Sequence, residues 1–502
     1  MAVAAQRSKN YIGGKWVDGS GGETFESVVP ANGETIGEFP RSTPADVDRA
    51  VAAAKEAWED WRLVPAPKRA EVLYRFAGLI ADQKDDLADL MSREMGKVKV
   101  EAAGDVQEAI DMTLYMAGEG RRLFGQTTPS ELPNKFQMSV RMPIGVVGVI
   151  TPWNFPIAIP SWKIAPALVC GNTVVFKPAE DTPLLAERFV ELLADAGLPD
   201  GVVNVVHGFG EEVGEAIVMH PDVPVITFTG SRETGVRVTH AAADQLKIVH
   251  LELGGKNAII VMDDADLDLA VEGIVWSAFG TSGQRCTAAS RVIVHERVYG
   301  DLQERLVARA EAMRLGPGWE DETDLGPVIN GASIEKIHSY TEIGKSEGAT
   351  LLTGGEPARE GELDKGFYYR PTIFGDVQAG MRIAQEEIFG PTTALIPVKD
   401  FDDAIRTANG VEYGLSSSIF THDVNRAFRA MRDLDTGITY INAGTTGAEV
   451  HLPFGGTKHT GNGHREAGQA ALDVFTEWKS LYIDYSGKLQ RAQIDTEEHP
   501  AP

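Results

Sequence analysis

Between residues 145 and 262, five apolar, β-branched runs alternate with helix-length segments, and this alternation constrains the fold more than any other feature. The runs are 145–150 (GVVGVI), 173–177 (TVVFK), 202–206 (VVNVV), 225–228 (VITF) and 247–253 (KIVHLEL). Continuously apolar strands need cover on both faces, so they predict a parallel sheet between two helical layers. The clearest intervening helix is 183–196, with Thr182 as its cap, Pro183 in its first turn and Gly197 as its stop. Sheets of this kind bind ligands beyond the carboxyl ends of their strands.

The flanking segments differ in pattern. Residues 11–38, rich in glycine and short apolar runs, predict one or two β-hairpins. Thr43-Pro44 starts a helical stretch in which Val47, Val51, Ala54 and Trp58 recur at helical spacing. Helices continue to about Phe124 without obvious chemistry. A second α/β unit follows over roughly 255–455, with strands at 292–294, 350–352, 393–397 and 438–442 and a helix at 298–313. The tail from about Gln469 alternates through Val474, Thr476, Trp478 and 481–484. It predicts a terminal strand that pairs with another subunit. A chain of 502 residues exceeds what one core supports, so several units are expected.

Charge narrows the partners. With 47 basic and 73 acidic residues the net charge is −26, a field that repels DNA, RNA and anionic membranes. The two cysteines, Cys170 and Cys286, make neither a disulfide scaffold nor a zinc site. No His or Cys residues are spaced as metal ligands, so no metal is expected. The first ten residues, MAVAAQRSKN, lack the apolar run of a secretory signal, and no spanning segment is evident. The expected compartment is the cytoplasm.

Three short segments carry candidate chemistry. In Gly283-Gln284-Arg285-Cys286-Thr287 a thiol lies among glycine and polar residues, unlike Cys170 in its apolar run. A thiolate is a strong nucleophile when a nearby base or cation makes it available; a buried thiol is inert. On this segment alone both readings stand. In Leu251-Glu252-Leu253-Gly254-Gly255-Lys256 a carboxylate ends an apolar strand before two glycines. Burial there would raise its pKa and make it a base near neutrality. Alone, a solvent-facing strand end is the simpler reading. In Thr151-Pro152-Trp153-Asn154-Phe155-Pro156 the Asn154 amide is placed to donate to a developing oxyanion, or the segment is a stiff turn with Trp153 as packing.

Seven motifs then resemble, in order, those of the aldehyde dehydrogenase superfamily: TPWNFP, VFKPAEDTP, FTGSRETG, LELGGKN, GQRCT, EEIFGP and PFGGTKHTGNGHRE. The likeness covers nearly the whole chain and includes the base-to-nucleophile step from Glu252 to Cys286. It implies an α/β fold with a Rossmann-type cofactor domain (1–124 and 143–254), a catalytic domain (255–455) and a small β oligomerisation arm (125–142 and 466–488). It implies a homo-oligomer, a dimer or a tetramer of dimers.

The resemblance also implies roles. Cys286 attacks the aldehyde, Asn154 and the Cys286 N–H stabilise the thiohemiacetal oxyanion, and hydride passes to a nicotinamide. Glu252 activates the water that hydrolyses the thioester, and Lys163 supports this network. The cofactor contacts are Thr151, Trp153, Lys177, Glu180, Gly210, Thr229, Gly230, Ser231, Leu253, Glu387 and Phe389. Glu180 favours a free 2′-hydroxyl, hence NAD over NADP, with NADP as the alternative. Glu211 and Glu212, near the expected adenine site, read as solvated helix-start charges. The small-molecule aldehyde meets Phe155, Trp162, Arg285, Thr287, Phe454 and the loop 443–451. Within that loop, Glu449 and His451 read as exposed. If Arg285 faces the substrate it attracts a carboxylate and favours a semialdehyde. The competing readings are acyl transfer to coenzyme A, disfavoured by Glu252, and a non-catalytic binding protein, disfavoured by the complete set of nucleophile, base and oxyanion donor.

Overall fold

The computed structural model describes residues 6–494. The five apolar runs form neighbouring parallel strands in the order Ile248–Glu252, Val225–Thr229, Val146–Ile150, Thr173–Lys177 and Val203–Val205. An antiparallel hairpin, Asn10–Ile12 with Lys15–Val17, extends the sheet to seven strands. Side chains alternate faces along each strand. Val147, Val149, Val174 and Phe176 therefore pack on one side, with Ile164, Leu168 and Leu185. Val146, Ile150, Val175 and Ile226 pack on the other, with Val47, Val51 and Val238. The chain winds outward in both directions from Val146–Ile150, so a crevice opens beside that strand, at its carboxyl end.

One local expectation differs. Helix Pro183–Asp195 begins after Thr182, but the Thr182 side chain does not cap it. The Glu94 carboxylate accepts from Leu184 N–H at 2.7 Å and Leu185 N–H at 2.9 Å instead. An anionic acceptor serves two orphan donors where a hydroxyl serves one.

A second seven-stranded sheet has parallel strands Thr372–Gly375, Thr392–Val398, Ala289–His295, Asn257–Val261, Ser416–Phe420 and Ile438–Ile441, with Thr350–Thr353 antiparallel at one edge. A three-stranded antiparallel arm joins Gln126–Pro129, Lys135–Pro143 and Thr476–Asp484. The terminal strand starts later than the alternation suggests. Gln469–Asp473 is a 3-10 turn, and Ala471, Leu472, Val474 and Phe475 are buried in the first core. Apolar burial there outweighs extension of the strand. Among the described residues, no helix is long and apolar enough to cross a membrane.

Candidate active site

The nucleophile segment is presented by a strained turn. After helix Leu267–Phe279, Thr281, Ser282 and Gly283 take φ of +53°, +54° and +69°. Left-handed backbone is unfavourable for Thr and Ser, so it persists only where surroundings hold it. Here Glu101 accepts from the Thr281 N–H at 2.8 Å and from its hydroxyl at 3.0 Å, and the Ser282 hydroxyl donates to the Gly326 carbonyl at 2.7 Å. The turn delivers Arg285, Cys286 and Thr287 to the wall of a cavity of about 300 Å³. Cys286 is half-buried there, whereas Cys170 is sealed in the core, its thiol pushed up to about 12 by burial. Burial, and then the charges of Glu252 and Glu387, also push the Cys286 thiol up. Both causes favour the thiol over the thiolate.

Glu252 lines the same cavity at the end of its strand. Both carboxylate oxygens are buried without a hydrogen-bond partner. Burial first, then the neighbouring Glu466, holds the carboxyl well above its usual range. The two glycines after it are required by close approach. A Cβ on Gly255 would lie 2.5 Å from the Cys286 carbonyl oxygen, and one on Gly254 would collide with the Glu387 carboxylate. Glu387 in turn accepts from the Gly255 N–H at 2.8 Å. Lys163, from helix Ala158–Cys170, donates to Thr227 Oγ1 at 3.0 Å and ion-pairs with Glu466.

Asn154 is buried and is not among the residues that line the cavity. Its amide nitrogen donates to the Gln284 carbonyl at 3.0 Å, and its Oδ1 is buried without a partner. The amide thus reaches the nucleophile segment itself. Phe155, Trp162, Thr229, Leu253, Thr287 and Phe454 line the cavity, with Trp162 and Phe454 edge-to-face at 5.0 Å. Of the loop 443–451, Thr446, Gly447 and Ala448 reach it, while Glu449 and His451 pair with each other at 3.4 Å in solvent. Arg285 faces the cavity with its guanidinium 4.6 Å from the centre of the Trp276 ring and 3.2 Å from Glu101.

A second cavity of about 290 Å³ opens where the sheet order reverses, between Ile150 and Phe228. Glu180, Gly210, Glu211 and Thr234 line it, and Lys177 pairs with Glu180 at 2.7 Å. Ser231 caps helix Arg232–Ala243 by accepting from the Thr234 N–H at 3.2 Å. Gly230 lies over the Phe228 ring, where a Cβ would meet it at 2.5 Å. Trp153 and Phe389 meet edge-to-face at 5.6 Å, and Phe389 adopts φ of +63°. Thr151 is buried beside them at the end of its strand, its N–H donating to the Lys177 carbonyl at 3.3 Å. A slot with an apolar floor, a charged rim and a twelve-residue helix starting at its edge suits a dinucleotide. Glu211 faces this slot, while Glu212 pairs with Arg41 at 2.5 Å.

The sequence reading passed over four groups. Glu101, Asp105 and Glu108 lie on one face of helix Lys99–Glu119 and line the cavity that holds Cys286. Their spacing of four and three residues was the available signal. His250 precedes Glu252 by two residues, so both must share a strand face.

A family model described as the aldehyde dehydrogenase family matches residues 16–481. The alpha-ketoglutaric semialdehyde dehydrogenase of Bacillus subtilis is 42% identical over 486 residues, 96% of this chain and 100% of that protein. The alpha-ketoglutarate semialdehyde dehydrogenase of Haloferax volcanii is 43% identical over 480 residues, 95% and 99% of the two chains. Among solved structures, the betaine aldehyde dehydrogenase of Staphylococcus aureus in complex with NAD+ has a TM-score of 0.94 at 35% identity, covering 96% of each chain.

Proposed function

The chain belongs to the aldehyde dehydrogenase family, and we propose that it oxidises a carboxylate-bearing semialdehyde to the acid, using NAD, with Cys286 as nucleophile and Glu252 as base. The observation that carries this reading is the convergence of Cys286, Glu252 and Arg285 on one cavity. The relatives named for alpha-ketoglutarate semialdehyde support the substrate class.

The chemistry follows from the protonation states. Cys286 passes its proton to water in the cavity as its sulfur adds to the carbonyl carbon, and the Asn154 amide and the Cys286 N–H are the donors proposed for the resulting oxyanion. When bound, NAD supplies the hydride acceptor that turns the thiohemiacetal into a thioester. Glu252, in its apolar setting, then takes a proton from water as the water attacks the thioester; the product leaves as its carboxylate and the sulfur takes the second water proton, restoring the thiol. Lys177 and Glu180 would hold the adenosine ribose, Ser231 and the start of its helix would meet the pyrophosphate, and Glu387 would hold the nicotinamide ribose. NADP is the less favoured cofactor because the Glu180 carboxylate repels a 2′-phosphate.

We divide the chain into cofactor, catalytic and arm units along the two large sheets and the three-stranded one. The arm strand Thr476–Asp484 has an unpaired edge and exposes Trp478, Tyr482 and Ile483, which supports a homo-oligomer joined through it. Replacing Ile483 with Lys should lower the mass found by light scattering; an unchanged mass removes the arm from the interface.

A second reading has support in the wall opposite Arg285. Asp105 pairs with Lys97 at 2.8 Å, whereas Glu108 makes no ion pair among the described residues; burial and then the charge of Asp105 push its carboxyl up to about 8, with Lys97 and Arg285 opposing. A cationic aldehyde would meet Glu108. An NADH-release screen over carboxy-, amino- and neutral aldehydes, without coenzyme A, separates the two. Highest kcat/KM on a carboxy-aldehyde supports the semialdehyde; preference for an amino-aldehyde, or a strict need for coenzyme A, overturns it.

A further inference from the structure

The strand that carries Glu252 carries a second titratable group on the same face. Side chains two residues apart on a strand point together, so His250 lies below Glu252, deeper in the protein. In the parallel register, Thr227 stands beside His250 and Thr229 beside Glu252. His250 is 1% exposed, a placement in which an imidazole needs partners for both nitrogens. Its Nδ1 is 3.2 Å from Thr227 Oγ1 and 3.7 Å from Glu466 Oε1. Its Nε2 has no hydrogen-bond partner and points to Glu252 Oε1 at 3.7 Å. The imidazole therefore lies between the proposed base and the Lys163–Glu466 ion pair. Its ring also meets the half-buried His464 ring edge-to-face, centroids 5.8 Å apart.

We propose that His250 is a positioning and proton-transfer residue, carrying the proton that Glu252 takes from water inward to the Glu466–Lys163 pair. The inference rests on the reading of Glu252 as the base. Glu252 is protonated after each hydrolysis and must lose that proton before the next. With hydrogen on Nδ1, His250 accepts the Glu252 proton at Nε2 and releases its own from Nδ1 to the Glu466 carboxylate. No other bond forms or breaks, and one proton moves by one imidazole width. Glu466 then loses its proton toward solvent on the side of His464, and the ring, turning about Cβ–Cγ, hands its Nε2 proton to the emptied Glu466 carboxylate and takes that proton back at Nδ1, which restores the first tautomer. A neutral imidazole can do this because it donates and accepts at once. The groups facing His250 suit neutrality: Lys163 from its helix, and His464 and Arg465 from the returning loop, add positive charge, while Glu252 and Glu466 are the nearby acids.

The test is single-turnover and steady-state kinetics of His250→Gln and His250→Ala in the full-length enzyme. Expected are an NADH burst and a single-turnover deacylation of wild-type rate, steady-state turnover slowed about tenfold because Glu252 stays protonated between cycles, and recovery of the His250→Ala turnover on adding imidazole. A wild-type steady-state rate in either variant, or slowing that imidazole leaves untouched, overturns the proposal. Should neither variant fold, the wild-type enzyme decides through steady-state rates in mixtures of H₂O and D₂O. A curved dependence reports more than one proton in flight; a linear one overturns the relay. Failure of the base itself is distinguishable, because Glu252→Gln would then deacylate at the wild-type rate whatever stands at position 250.

Discussion

Arg285 Nη2 and Glu101 Oε1 stand 3.2 Å apart at the wall of the aldehyde cavity. The pair is almost wholly buried, so neither charge is screened by bulk water. Glu101 also holds the Thr281 turn, so the guanidinium is fixed over Trp276 by the loop that positions Cys286. Arg285→Gln should raise KM for carboxy-aldehydes about tenfold, the worth of one charge-assisted hydrogen bond. Short neutral aldehydes should change much less. Steady-state kinetics on matched chain lengths checks this. An equal loss on both classes would assign Arg285 to holding the turn and not to reading the substrate.

Glu252→Gln keeps the volume and removes the base. Acylation and hydride removal should persist, giving one equivalent of NADH, while turnover falls by about 10²–10⁴. Stopped-flow absorbance resolves the two phases. Cys286→Ala is the control, with no burst, no turnover, and NAD binding and melting temperature close to wild type. Loss of the burst in Glu252→Gln would mean that Glu252 also prepares the protonated Cys286 thiol.

The fold and the reaction were legible because each rests on a local pattern. Apolar runs with intervening helices can only be covered on both faces, and Cys286, Glu252 and Asn154 each sit in a short, chemically unusual segment. What was not legible depends on long-range contacts. Glu94 replaces Thr182 as the helix cap across 90 residues of sequence, a distance at which cap preferences say nothing. Glu466 reaches Lys163 only because the Phe454 and Glu466 backbones pair, at 2.6 and 2.8 Å, and fold the last loop back over the first sheet. His250 and the Glu101, Asp105, Glu108 face were readable by periodicity, but no periodicity says that a face borders a cavity.

The pH profile tests the Glu466 charge. Glu252 is held above its usual pKa by burial and by Glu466, with Lys163 opposing. A base with a raised pKa is protonated and idle at low pH, so deacylation should climb as pH rises through that value. Glu466→Gln removes the like charge and leaves Lys163 uncompensated, and both changes favour ionised Glu252. The rising limb should therefore move to lower pH, by about one pH unit. Deacylation rates measured from pH 5 to 10 give the answer. A limb that moves to higher pH would show that Glu466 does not act on Glu252 through its charge.

Lys177 and Glu180 form an ion pair at 2.7 Å on the rim of the second cavity, with Lys177 buried and Glu180 37% exposed. The lysine alone would attract a 2′-phosphate, and Glu180 cancels that attraction while offering an acceptor to a 2′-hydroxyl. Solvent screening at this exposure keeps the charge effect modest. Glu180→Ser leaves Lys177 unneutralised, and kcat/KM with NADP should rise about tenfold. With NAD it should fall by less, because a single exposed hydrogen bond is weaker than a charge contact. The ratio of the two cofactors' kcat/KM values, measured at low and high salt, checks both parts. A rise with NADP that vanishes at high salt is the expected signature of charge, and no rise at low salt would remove Glu180 from cofactor choice.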